Sequence, residues 1–151
     1  MPALPSRSLL SANYPAFDAR TVAQVVGGKV KLNYDMGVFS NFFAIRVSRA
    51  LSLSGHLVPY MKGETSSGAH GRWHIYRVKR LKSYLTEHYG RPEELGGDTF
   101  KDKLDGKHGI VVFDVAIWTD ASGHADLWNG SKCLWKGYGD VSNRVWFWPA
   151  S

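Results

Sequence analysis

Residues 40–55, "SNFFAIRVSRALSLSG", carry the pattern on which the fold reading turns. Ser40 and Asn41 are good helix N-cap types. Phe43, Val47, Ala50 and Leu51 then recur at helical spacing, and Gly55 stops the run. The stretch reads as an amphipathic helix with its stripe turned to a core. Arg46 and Arg49 fall off that stripe. The opening is unusual. Two phenylalanines, Phe42 and Phe43, crowd a helix N-terminus, where free backbone amides would favour a thiolate or another anion.

The rest of the chain can be read outward from this helix. Upstream, "FDARTVAQVVGG" is a short helix. Asp18 is its N-cap, Val22, Val25 and Val26 its apolar side, and Gly27–Gly28 its end. Residues 1–13 read as a loose leading segment. Downstream, "ETSSGAHGRW" has loop composition. "HIYRVKRLKSYLTEHYG" is a third helix, with Val78, Leu81 and Leu85 inward and Gly90 as its stop. Its outer side carries Arg77, Lys79, Arg80 and Lys82, a basic face available to an anionic substrate. From residue 108 the period changes. "HGIVVFDVAIW", "GHADLWNG" and "NRVWFWP" read as strands. Helices followed by strands predict an α+β domain, with helices packed on an antiparallel sheet.

Composition sets limits. The 151 residues suit one domain with a real core. No apolar run approaches the ~18 residues of a membrane span. No signal-peptide pattern opens the chain, so the expectation is a cytoplasmic protein, or one exported without a recognisable signal, and a monomer. The single cysteine, Cys133, excludes an intrachain disulfide and a cysteine cluster for zinc. Lys and Arg exceed Asp and Glu by six, giving a pI near 9.5, and such a field attracts polyanions.

The densest chemistry lies in "WTDASGHADLWNG", residues 118–130, which holds Asp120, His124 and Asp126. On a strand His124 and Asp126 share a face. A histidine beside a carboxylate can act as general acid or base. The same three side chains offer ligands for a divalent cation, Mg²⁺, Mn²⁺ or Zn²⁺. His56, His70, His74, His88 and His108 are not placed by spacing.

Taken in order, "NFFAIRVSRAL", "SGHLVP", the basic helix, "KHGIVVF" and "SGHADLWNG" resemble the fourth family of type VI secretion system amidase effectors. The resemblance runs from about Tyr14 to Trp148. "GGKV" at 27–30, "AIRVSRAL" at 44–51 and "SGHADLWNG" at 122–130 are its most specific parts. It implies a papain-like, NlpC-type fold and an activity that cleaves peptidoglycan peptide crosslinks with Cys, His and Asp. Only His124 carries over directly. The nucleophile position is occupied by Phe43. Cys133 matches a position that holds the first cysteine of a disulfide in some members, and its partner is missing here. The orienting Asp falls on Trp135 in a gap-free register, or on Asp140 if the loop is lengthened. The resemblance therefore implies the fold without a cysteine amidase.

Two functions remain open. The leading expectation is a basic ribonuclease-type toxin acting on RNA or the ribosome. His124 would act as acid or base, with Asp126 and Asp120 beside it, since the ribose 2′-OH supplies its own nucleophile. In size, charge and cysteine usage the chain is also similar to the ribotoxin-like proteins of mushrooms. The alternative is a catalytically dead amidase-like protein that binds peptidoglycan peptide or a protein partner.

Overall fold

The computed structural model describes residues 2–39, 41–114, 123–136 and 144–151. Six α-helices, one 3-10 turn (Ala69–Gly71) and six strands are formed among them: α1 (Arg7–Asn13), α2 (Ala19–Val26), α3 (Gly28–Asp35), α4 (Phe43–Leu53), β1 (Thr65–Ser67), β2 (Trp73–Ile75), α5 (Val78–Tyr89), β3 (Glu93–Gly96), α6 (Phe100–Lys103), β4 (Gly109–Asp114), β5 (His124–Trp128) and β6 (Arg144–Pro149). The α+β expectation holds. A four-stranded antiparallel sheet runs in the order β3-β6-β4-β5, and β1 and β2 make a separate two-stranded ribbon. No helix among the described residues is long and apolar enough to cross a membrane.

The central strand β4 explains why "GIVVFD" is an unbroken apolar run. Both faces of the sheet are covered. Ile110 and Val112 join Ala125, Leu127 and Trp148 beneath α4 and α5. Val111 and Phe113 face the other way, into a cluster with Phe100, Leu104, Val145 and Phe147. A third cluster packs α2 and α3 against the start of α4 through Val22, Val26, Val30, Phe42 and Ile45. The strand β5 lies at one edge of the sheet. Its outer side is closed by the chain that follows it, through a bridge between Trp128 and Cys133 and a bond from the Leu134 amide to the Leu127 carbonyl.

Several local expectations shift. Within the segment expected to be loose, Arg7–Asn13 form a helix. Ser6 caps α1, Leu4 and Leu10 are buried, and the Arg7 amide bonds the carbonyl of the final residue, Ser151. Asp18 caps α2 by accepting from the Thr21 amide at 2.8 Å. Val25, read as part of the apolar side, is exposed. After Gly27 and Gly28 the chain enters α3 at once. The "GG" is needed because both residues have positive φ and because a Cβ on Gly28 would sit 2.6 Å from the Gly68 carbonyl carbon. This close approach seats α3 against the end of β1. The helix expected from His74 starts only at Val78, since His74 and Ile75 belong to β2. The strand ribbon lacks a strong sequence signal because each strand is three residues long.

His74 is fully buried on β2, and its ring nitrogens make no hydrogen bond of good geometry among the described residues, although the Ser66 and Arg72 backbones lie close enough to hold its pKa up slightly. Its pKa is pushed down to about 4, chiefly by burial, with Arg49 and Arg72 adding in the same direction. An unfolded histidine titrates near ~6.5. Between the two values the unfolded chain binds the extra proton, so stability falls as pH drops through that window and levels off below it. The expected loss reaches about 3 kcal/mol, measured by urea denaturation from neutral pH to pH ~4, and His74→Leu should remove this component.

Candidate functional site

Helix α4 begins at Phe43, one residue later than an Asn41 cap suggests. Asn41 still satisfies its first amide, because the Asn41 Oδ1 accepts from the Phe43 N–H at 3.1 Å. The two phenylalanines then part company. Phe42 is buried with Ile45 and the valines of α2 and α3, edge-on to Tyr34 at 5.7 Å. Phe43 turns the other way and lies half-buried over His124, ring centroids 3.8 Å apart and planes 70° apart.

His124 is placed by Gly123. That residue has φ +121°, and a Cβ on it would fall 2.5 Å from the Phe113 carbonyl oxygen, so "SGH" admits only glycine before the histidine. The expected pairing on β5 holds. His124 Nε2 lies 3.6 Å from Asp126 Oδ2, and both side chains are fully buried. With Phe43 above it and Phe113 beside it, the imidazole is closed to a large substrate.

Asp126 has a second occupation that the sequence does not announce. Its carboxylate accepts from the Leu127 amide at 2.8 Å, the Lys136 amide at 2.9 Å and the Trp135 amide at 3.2 Å. The acid thus staples the chain that follows β5 back onto the strand. Trp135, where a gap-free register places the orienting acid, contributes its backbone amide and a ring face. The Arg46 guanidinium lies 4.8 Å from that ring and donates to the Phe17 carbonyl at 2.8 Å. Arg46, read as lying off the core stripe, is therefore buried. Burial lowers its pKa, while Tyr14 and Asp126 oppose that shift. Tyr14 is buried nearby, and burial together with the Asp126 charge raises its phenol well above the ordinary value.

The expected cation set changes. Asp120 lies outside the described residues. Cys133 is brought in instead, with ligand atoms of His124, Asp126 and Cys133 all within 4.8 Å of one another. Among the described residues, this set of nitrogen, oxygen and sulfur is the group that could hold a Zn²⁺-like ion. Two features act against it. The Asp126 oxygens are directed at backbone amides, and burial, reinforced by Asp126, pushes the Cys133 thiol far up. The same shift denies Cys133 the thiolate that a nucleophile needs.

The basic residues of α5 have different partners. Arg80 is neutralised by Glu64 and Glu87. The Lys82 ammonium sits 3.7 Å from the Trp146 ring centroid. Lys79 is exposed. Arg77 stacks on Tyr76 at 4.7 Å and donates to the Gly63 carbonyl, which turns it toward a groove beside the α4 N-terminus. That groove, between α3 and the β1–β2 ribbon, has a volume of about 740 Å³ and continues past Phe39, Tyr76 and Arg77 to Asn41.

The profile of type VI secretion system amidase effector protein 4, Tae4, matches residues 39–148, which include α4, the histidine strand and the groove wall between them. The chain belongs to the Tae4 family. Solved relatives agree in fold across almost the whole length. The type VI effector Tae4 from Enterobacter cloacae is 28% identical with a TM-score of 0.90, each chain covered in full. Tae4 from Salmonella typhimurium, in an effector–immunity structure with Tai4, is 30% identical with a TM-score of 0.85, covering 97% of this chain and 99% of that one. A Salmonella typhimurium Tae4 bound to Tai4 from Enterobacter cloacae is 28% identical with a TM-score of 0.89 over the same shares. No match was found among curated protein sequences. Membership in Tae4 makes the chain a relative of amidase toxins and gives no support to the ribonuclease and ribotoxin expectation.

Two outcomes are expected from the site. Asp126→Ala leaves buried amides without an acceptor and should cost about 2–3 kcal/mol by urea denaturation, with Trp135 becoming more exposed to an aqueous quencher. Cys133 in the folded protein should resist iodoacetamide at neutral pH and react fully once urea unfolds the chain.

Proposed function

We propose that this chain is a non-hydrolysing Tae4-family protein that engages peptidoglycan peptide at the α4 N-terminus without cutting it. The observation that carries the reading is Phe43, the first residue of α4, lying against the buried imidazole of His124. The resemblance puts the family's nucleophile at this position. Phenylalanine offers neither a thiol nor a proton, and its ring closes the space a thiolate–imidazole pair would need. The pocket at Asn41, which neither Lys29 nor Tyr60 lines, remains open to solvent and supplies a place for the peptide beside the closed centre.

A protein partner is the second reading. It is favoured by the solved relatives, whose structures include complexes of Tae4 with the immunity protein Tai4. The same helix N-terminus and groove would then be covered by protein.

Incubation with purified sacculi separates these readings from catalysis. The protein should sediment with sacculi and release no cleaved stem peptides by liquid chromatography, and rRNA in intact ribosomes should remain uncut with or without EDTA. Release of cleaved peptides would overturn the proposal. Soluble protein that ignores sacculi but co-purifies stoichiometrically with an added Tai4 homologue would favour the second reading. In Phe43→Cys the new thiol should be alkylated at neutral pH well before Cys133, because it gains the α4 dipole and His124 as neighbours.

A further inference from the structure

The groove between α3 and the β1–β2 ribbon holds groups that the reading of Phe43 and His124 leaves unassigned. Its walls carry two aromatic pairs. Phe39 stacks with Tyr76 at 5.0 Å, and Tyr60 leans on Trp73 at 4.8 Å. Tyr60 is 58% exposed, so its ring presents a face to solvent at the rim. Its volume of about 740 Å³ is that of a small-ligand site, though an open one. Lys29 and Arg77 are the charged residues that line it, and no carboxylate joins them. Lys29 makes no ion pair among the described residues, and Arg77 is held by a carbonyl and a ring rather than by an acid. The Asn33 amide and Ser67 hydroxyl also line the groove and make no side-chain hydrogen bond among the described residues.

We infer that this groove binds an anionic oligosaccharide, a chain of sugar rings bearing carboxylates. A pyranose ring has an apolar C–H face and a rim of hydroxyls. Aromatic rings on a groove wall take the first, and amide and hydroxyl groups beside them take the second. Two aromatic pairs in one open groove suit successive rings of such a chain. The unneutralised Lys29 and Arg77 select ligands that carry negative charge. An acidic peptide fits less well. The ribbon offers no long sheet edge for a peptide backbone, because β1 has three residues and its Ser67 end abuts α3 at Gly28. The inference stands apart from the fate of the α4 N-terminus, since it uses Lys29, Tyr60 and Trp73 rather than Phe43 or His124.

The test is calorimetric titration of the full chain with three probes: tetragalacturonate, chitotetraose and hexaglutamate. Saturable binding of the uronate is expected, with the neutral saccharide weaker by about tenfold and the acidic peptide weaker still. Tyr60→Ala, at an exposed ring, should fold normally by circular dichroism and weaken the uronate by about tenfold. Lys29→Ala should shrink the preference for uronate over chitotetraose while leaving saccharide binding in place, and raised salt should do the same. The inference is overturned if neither saccharide saturates the protein, if hexaglutamate binds at least as tightly as the uronate, or if Tyr60→Ala binds as the natural chain does. Loss of sacculus binding with tetragalacturonate binding intact would separate failure of the peptide reading from failure of this one.

Discussion

A single buried carboxylate, Asp126, sets the geometry around the histidine strand. It is out of contact with water, and three backbone amides donate to it beside the neighbouring imidazole. A buried ion without such partners would carry a penalty of several kcal/mol. Because the amides of Trp135 and Lys136 supply those partners, the chain after β5 must fold back over its edge. That return places Cys133 beside β5 and Trp135 under Arg46. Arg46 in turn reaches from α4 to the Phe17 carbonyl and ties the helix to the segment before α2. One acid therefore links β5, the loop beyond it, α4 and the N-terminal region.

Phe42 and Phe43 answer a packing need on opposite sides of α4. Phe42 fills the seam between α2, α3 and α4, where a smaller side chain would leave a cavity. Phe43 covers His124 on the other side. Both roles are apolar, and the Phe43 amide at this helix end is met by the Asn41 side chain. The site is closed on this side as a result. Its histidine is enclosed, its acid serves the backbone, and the open surface lies along the adjoining groove.

The legible parts of the sequence are those with long or chemically distinctive patterns. The stripe of Phe43, Val47, Ala50 and Leu51, the face of Val78, Leu81 and Leu85, and the run "GIVVFD" each repeat often enough to declare an element. Asp18 and Gly90 mark ends because caps need particular side chains or none. The ribbon β1–β2 was not legible, because three-residue strands carry no period. Arg46 was misplaced for a related reason. Periodicity ranks side chains by polarity, and it cannot foresee a guanidinium buried against a tryptophan ring and a carbonyl. Val25 erred the opposite way, as an apolar residue left at the surface.

By itself the sequence determined an α+β chain of the Tae4 kind, a histidine and an aspartate sharing one strand face, and a phenylalanine at the head of the helix where the family resemblance implies a cysteine. The family likeness and the expected cysteine rest on the resemblance of its motifs; the rest follows from residue identity and short-range spacing, which the linear chain carries in full. Tertiary structure alone decided that Phe43 covers His124, that Asp126 spends its lone pairs on amides nine and ten residues away, and that Cys133 joins them. It also decided that aromatics from α3's end, the loop before β1 and the strand β2 line one groove with two unneutralised cations. Such convergences depend on burial and on contacts between distant segments, and local pattern contains no measure of either.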